Sequence, residues 1–152
     1  MASSTAGISI ISFVVAAGVS LAYYQYVYIP EVNARPVLPD EIVDPPESVQ
    51  VSIVEGSYIE TQDRNFVPRD VRGSLGVDNR IIWQNDDEIA HTVTNEDYVD
   101  AFYGPFDSMA TIGVIGPGDT FEFIFTEEGQ YPYFCIPHPW MTGSVQIVES
   151  FA

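Results

Sequence analysis

The chain contains no lysine. Lys and Arg together number 5 against 22 Asp and Glu, a net charge of −17 at pH 7. Proteins that grip nucleic acid neutralise phosphates with lysine and arginine, so this composition excludes that class of function. The negative surface repels its own copies and steers towards a basic partner, and a salt-adapted surface reads the same way. Cysteine is nearly absent: Cys135 stands alone, which excludes an internal disulfide framework. There are two histidines, His91 and His138, and three methionines. Charge is missing altogether from residues 1–30, and no internal repeat occurs.

That uncharged start holds an apolar or small-residue run from Ala6 to Ala22, followed by Tyr23, Tyr24, Tyr26 and Tyr28. A bilayer core takes about 20 mostly apolar residues, and tyrosines favour its interface. Residues 1–29 therefore read as a transmembrane anchor. A cleaved signal peptide is the alternative: its apolar core is shorter, about 7–15 residues, and follows a basic start that is missing here, although Ser20-Leu-Ala22 resembles a cleavage site. Residues 30–48 read as a linker, with Pro30, Pro36, Pro39, Pro45 and Pro46 set among Glu31, Asp40, Glu41, Asp44 and Glu47. Proline stiffens such a stretch and like charges extend it; it is a semi-rigid stalk or a disordered tether.

From Val49 the pattern turns to period two. Strands are expected at 49–54, 58–60, 66–71, 80–84, 91–94, 120–125, 130–134 and 143–148, with 110–115 as strand or coil and 95–107 as a long loop. Pro68 places its strand at an edge or bend. Many short strands between Gly/Pro turns, with no helical period, make an all-β sandwich over residues 49–152. Trp83, Met109 and the phenylalanines of 121–125 are assigned to its core.

The stretch Tyr131-Pro-Tyr-Phe-Cys-Ile-Pro-His-Pro-Trp-Met-Thr-Gly143 carries the chemistry. Cys135, His138 and Met141 follow a Cys-x-x-His-x-x-Met spacing. Thiolate, imidazole and thioether suit a soft or borderline transition metal, whereas magnesium and calcium want oxygen. The loop supplies one nitrogen, and the only other histidine is His91, in Glu88-Ile-Ala-His-Thr-Val-Thr94. Two nitrogens, a thiolate and a weak axial thioether form the ligand set of a type 1, or blue, copper site. Zinc is the weaker alternative, because thioether is a poor zinc ligand. Taken singly, a lone cysteine or methionine is usually core filler. Taken together, the only cysteine and both histidines carry the metal reading. Pro137 and Pro139 fix the backbone beside His138 and remove two N–H donors. Gly143 is expected to let the chain bend back into the last strand.

Phe106-Asp-Ser108, Gly116-Pro-Gly-Asp-Thr-Phe121, Gly129-Gln-Tyr-Pro-Tyr-Phe-Cys135 and the ligand loop resemble the C-terminal half of a cupredoxin. Trp83-Gln-Asn-Asp86 followed by His91-Thr-Val-Thr94 is similar to the segment that carries the family's first histidine. The resemblance covers about residues 65–149, and the two residues between His138 and Met141 are most similar to amicyanin-like members. A lysine-free acidic chain with an N-terminal anchor also resembles archaeal blue copper proteins. The resemblance implies a Greek-key β-sandwich, one copper ion held by His91, Cys135, His138 and Met141, and electron transfer through a C-terminal histidine exposed at its edge. The apolar ring around that edge would be Ile136, Pro137, Pro139 and Trp140, where a redox protein docks. The family often places an asparagine after the first histidine to tie the two ligand loops; here the residue is Thr92. Anchored members work on the outer side of the membrane.

The expected function is thus a membrane-anchored single-electron carrier, not an enzyme, because four ligands leave no open position for substrate. A fixed subunit of a larger membrane copper complex is the alternative, its small residues Gly7, Ala16, Ala17, Gly18 and Ser20 permitting helix packing. Copper storage or delivery is a further one, disfavoured by a single closed site.

Overall fold

The computed structural model describes residues 3–33 and 37–150. The chain divides into two compact units, Met1–Pro36 and Val37–Ala152. The first is a continuous helical run: α1 (Ser3–Tyr23), a π-helical stretch (Tyr24–Tyr28) and α2 (Ile29–Val32). Within it, the 23 residues Ile10–Val32 are long and apolar enough to cross a bilayer, and none of that window is buried. At 1.5 Å per residue the window spans about 35 Å. Tyr24 and Tyr28 stack one turn apart at 5.4 Å. Pro36, one of the prolines expected in the linker, lies outside the described residues.

The second unit is a two-sheet sandwich. One sheet orders β2 (Phe66–Val67), β1 (Ser48–Ile53), β4 (Arg80–Asn85) and β7 (Thr120–Ile124); the other orders β3 (Asp70–Ser74), β9 (Thr142–Val148), β8 (Gly129–Phe134), β5 (Thr94–Asp100) and β6 (Gly104–Asp107). β1 runs parallel to β4 and β3 parallel to β9, while the other pairs are antiparallel. β2, which ends at Pro68, lies at a sheet edge, where a missing backbone donor costs least.

Alternation gives each sheet one inward face. Val51, Ile53, Ile81, Trp83, Phe121 and Phe123 face Phe106, Tyr131, Tyr133, Val145 and Ile147, all buried. Trp83 is the hub: Phe121 stacks on it at 5.5 Å, and Phe106 and Tyr133 lie 5.4 Å away. Each such aromatic pair adds about 0.5–1.5 kcal/mol beyond its area burial. The core assignment of Trp83, Phe121, Phe123 and Phe125 holds, but Met109 does not belong there, being 47 % exposed. It sits on a one-turn helix, α4 (Ser108–Thr111), of which only Ser108 is buried.

That helix replaces part of the strand or coil expected at 110–115, because Asp107 caps it by accepting from Met109 N at 3.0 Å. Residues 95–107, expected to be a loop, instead form most of β5 and all of β6. Tyr58–Glu60, expected as a strand, lies in consecutive turns closed by Ser57 N to Val54 O and Ile59 N to Gly56 O. Part of the stretch read as linker folds against this unit: α3 (Asp40–Val43) offers Ile42 O to Asn79 and Val43 O to Tyr103, and Asp44 pairs with Arg80 at 2.7 Å.

Candidate metal centre

His91 reaches the site from an isolated bridge, not from the strand expected at 91–94. Its backbone N and O both pair with Ile115, at 3.1 and 2.9 Å. The next donors are diverted to side chains: Thr92 N points at Cys135 Sγ at 3.3 Å, and Val93 N at Ser108 Oγ at 3.1 Å. β5 begins only at Thr94. Cys135 leaves the end of β8, and the ligand loop is closed by its own backbone: His138 N to Cys135 O, Met141 N to His138 O and Cys135 N to Met141 O, at 3.2, 2.9 and 3.1 Å.

His91 Nδ1, Cys135 Sγ and His138 Nδ1 form a triangle with edges of 3.7, 3.6 and 3.2 Å. It is the one cluster of three or more metal-binding side chains among the described residues. A triangle of those edges has a centre about 2.0 Å from each corner, which matches metal–imidazole bonds of about 2.0–2.1 Å. The donor set and its spacing therefore fit a metal ion. His91 and Cys135 are fully buried, His138 is partly exposed, and Met141 is fully buried on the same loop.

The metal-free electrostatics suit that role. Burial, and then the neighbouring His91, hold the pKa of His138 below the usual imidazole value, so its ring is neutral. Burial pushes the Cys135 thiol up, against the hydrogen bonds from Thr92. A metal that takes the thiolate must displace that proton.

Three neighbours hold the ligands in place. Thr92 follows His91 directly. Its Oγ1 accepts from Ile136 N at 2.8 Å and its N–H donates to the sulfur, so it ties the two ligand loops. Asn85 is buried; its Nδ2 donates to Ile89 O and Ile115 O at 2.8 and 2.9 Å, and its Oδ1 accepts from Asp87 N. Asp87 went unnoticed in the sequence: its Oδ2 meets His91 Nε2 at 2.8 Å, with both side chains fully buried. Burial raises the Asp87 carboxyl pKa, but bonds from His91, Gly56 N and Glu88 N outweigh it and hold the group below the ordinary value. The one signal in the sequence was an acid four residues before the histidine, inside a turn that looks solvent-facing.

Gly143 serves close approach more than bending. A Cβ there would lie 2.5 Å from the Tyr133 ring and 2.8 Å from Arg69 O. Around His138, Ile136 is 49 % exposed, Pro137 and Pro139 are exposed, and the Trp140 ring lies 5.3 Å from the imidazole.

The profile of the copper-binding proteins of the plastocyanin/azurin family matches residues 54–148. A purple cupredoxin from Nitrosopumilus maritimus is 30 % identical, with a TM-score of 0.53 over 66 % of this chain and 99 % of its own. The copper-containing nitrite reductase of Thermus scotoductus is 21 % identical at a TM-score of 0.51, covering 78 % of this chain but 28 % of its own. The amicyanin of Paracoccus versutus is 22 % identical at a TM-score of 0.45, over 74 % of this chain and 96 % of its own. No curated protein matches the sequence. The two-sheet sandwich with its cysteine–histidine cluster is a cupredoxin. The chain belongs to the plastocyanin/azurin family of copper-binding proteins, its cofactor is copper, and the cluster fits a single type 1 site.

Proposed function

We propose that this protein is a membrane-anchored carrier of single electrons, with His91, Cys135, His138 and Met141 as the ligands of one type 1 copper ion. The observation that carries this reading is the convergence of the only cysteine and both histidines on a buried triangle of 3.2–3.7 Å edges. Copper held there would supply one-electron chemistry between Cu(II) and Cu(I).

The chain's own residues make that exchange easy. Cys135 would supply the thiolate, His91 and His138 the two nitrogens, and Met141 a weak thioether sulfur. The three backbone bonds within 135–141 and the two flanking prolines keep the donors in place whichever charge the ion carries. Burial of His91, Cys135 and Met141 keeps water out. His138 is the partly exposed ligand, so its ring edge is the port, and a redox partner docks on Ile136, Pro137, Pro139 and Trp140. An exposed apolar patch of this kind is an interaction surface. No substrate position remains once four ligands are in place, which favours a carrier over an enzyme.

In this reading residues 1–29 anchor the protein, 30–48 link the anchor to the domain with α3 held against the sandwich, and 49–152 form the cupredoxin domain on the extracytoplasmic side. The apolar window Ile10–Val32 supports the anchor.

The test is to purify the full chain in detergent, strip metal, add one equivalent of Cu(II) and record the visible spectrum before and after ascorbate. An intense thiolate-to-copper band that bleaches on reduction is expected. Its colour is informative, since the relative from Nitrosopumilus maritimus is named for being purple. A colourless protein, or only weak type 2 copper features, would sink the carrier reading.

A further inference from the structure

We infer that Asp87 is the positioning residue for His91: its carboxylate holds the ring's Nε2–H, leaves Nδ1 as the donor atom, and sets a buried negative charge one ring away from the metal. The inference rests on the copper reading above. It goes beyond the four ligands to the residue that decides how one of them is presented.

The two carboxylate oxygens of Asp87 divide the work. Oδ1 accepts from two backbone amides, Gly56 N at 3.0 Å and Glu88 N at 2.8 Å. Oδ2 is given to the His91 ring alone, at 2.8 Å. A residue that only capped a turn would use the first set and leave the second oxygen to water. Here the second oxygen is buried against an imidazole that is itself fully buried. Burying an ionised carboxylate is unfavourable unless good geometry compensates it. Three donors compensate it, and one of them is the ligand. A neutral imidazole has a single N–H. With that proton on Nε2, the lone pair of Nδ1 faces Cys135 Sγ and His138 Nδ1.

Asp87 is itself held from two sides. Asn85 Oδ1 takes its N–H at 3.0 Å. The turn carrying Gly56 also reaches the other ligand segment, because Ser57 O accepts from Trp140 Nε1 at 3.2 Å and Trp140 packs on His138. One loop thus braces the carboxylate behind His91 and the indole beside His138. Gly56 has φ +81°, a backbone conformation that glycine adopts without strain. Among the described residues no hydrogen bond holds His138 Nε2, so only His91 is fixed from behind.

Two consequences follow from charge and geometry. A buried negative charge favours the more positive oxidised ion, so Asp87 lowers the reduction potential. A pre-oriented ligand raises metal affinity, and loss of such an outer partner typically costs about 10–100-fold.

The experiment compares the full-length wild type with Asp87→Asn and Asp87→Ala in detergent. In the metal-free proteins, ¹⁵N imidazole spectra report which nitrogen of His91 carries the proton. Wild type is expected to be protonated at Nε2. Asp87→Asn keeps a carbonyl for that proton but drops the charge, so the tautomer persists. Asp87→Ala drops both, and the tautomers mix. With copper, Asp87→Asn is expected to lose about 10–100-fold in Cu(II) affinity and to rise in potential. A tenfold loss for Cu(II) alone corresponds to about 59 mV in a one-electron couple. A wild-type His91 protonated at Nδ1, or an Asp87→Asn potential that is unchanged or lower, would overturn the assignment. If the alanine variant does not fold, the wild-type tautomer and the asparagine potential still decide. If wild type gives no charge-transfer band, the copper reading fails, while the tautomer spectra still judge the Asp87–His91 pair.

Discussion

Thr92 joins the two halves of the site through a single hydroxyl. That oxygen accepts from Ile136 N at 2.8 Å, and the residue's own amide points at Cys135 Sγ at 3.3 Å. Replacing the hydroxyl by a methyl keeps the shape and removes the acceptor of the part-buried Ile136 N–H, which costs about 1 kcal/mol. Thr92→Val is therefore expected to lower metal-free stability by that amount in urea titration, with Thr92→Ser recovering most of it. An unchanged midpoint for the valine variant would show that the loops are held elsewhere. Residues of this kind were legible in different degrees. Cys135, His91 and His138 stood out because each is rare in the chain and chemically distinctive. Thr92 and Asp87 did not, because threonine in an alternating run and aspartate in a polar turn are the commonest residents of such places. Only the folded positions of Gly56 and the His91 ring reveal that Asp87 is buried.

Among the elements, strands that alternate cleanly were legible: β1, β4, β7, β8 and β9 fall within a residue or two of their expected bounds. β5 and β6 were not. Asn95, Asp97, Asp100, Gly104 and Pro105 look like turn residues. They are accommodated because β6 is an edge strand and its pairing with β5 shifts register between Thr94 and Val99. The acidic, proline-rich 37–47 stretch was also opaque, since its order comes from partners far along the chain. Asn79 is the main one. It is fully buried, accepts from Gly76 N at 2.9 Å, and donates to Ile42 O and Phe125 O at 2.8 Å each. It lies just before β4, whose six residues end at Asn85 beside the site, so α3 is held about 17 Å of strand away from the metal end. Asn79→Ala removes three bonds and leaves two carbonyls and an amide unpaired. Its expected cost is about 2–4 kcal/mol. Limited proteolysis should then cut within 37–47 while the copper spectrum stays intact. Faster cutting together with a lost spectrum would mean that the clamp and the site are one cooperative unit.

For the whole molecule, alternation fixed which face of each strand turns inward but not which strand lies beside which. The parallel pairs β1–β4 and β3–β9 join segments far apart in sequence, and nothing in the period-two pattern marks them. Charge is the other property of the whole. At −17 the surface repels itself, which favours expansion over compactness. Salt shortens the reach of that repulsion, from about 30 Å at 0.01 M to about 3 Å at 1 M. The melting temperature of the metal-free protein at pH 7 is therefore expected to rise with sodium chloride. The gain should shrink as pH falls towards about 4, where ordinary carboxylates take up protons. Asp100 works in the other direction. Burial raises its carboxyl, but bonds from Thr126, Phe102 N, Tyr103 N and Tyr98 more than offset this and hold it below the ordinary value. A group with a lowered native pKa is less protonated folded than unfolded, so its contribution is complete above about pH 3.9 and is lost as pH falls through the native value. Relief of repulsion should thus flatten the decline in stability down to about pH 4, and the loss of Asp100 should steepen it below. Asp100→Asn should remove the second part and leave the salt response at pH 7 in place. A melting temperature that falls with salt at pH 7 would mean that local ion pairs such as Arg80–Asp44, not the net charge, dominate the long-range electrostatics of this fold.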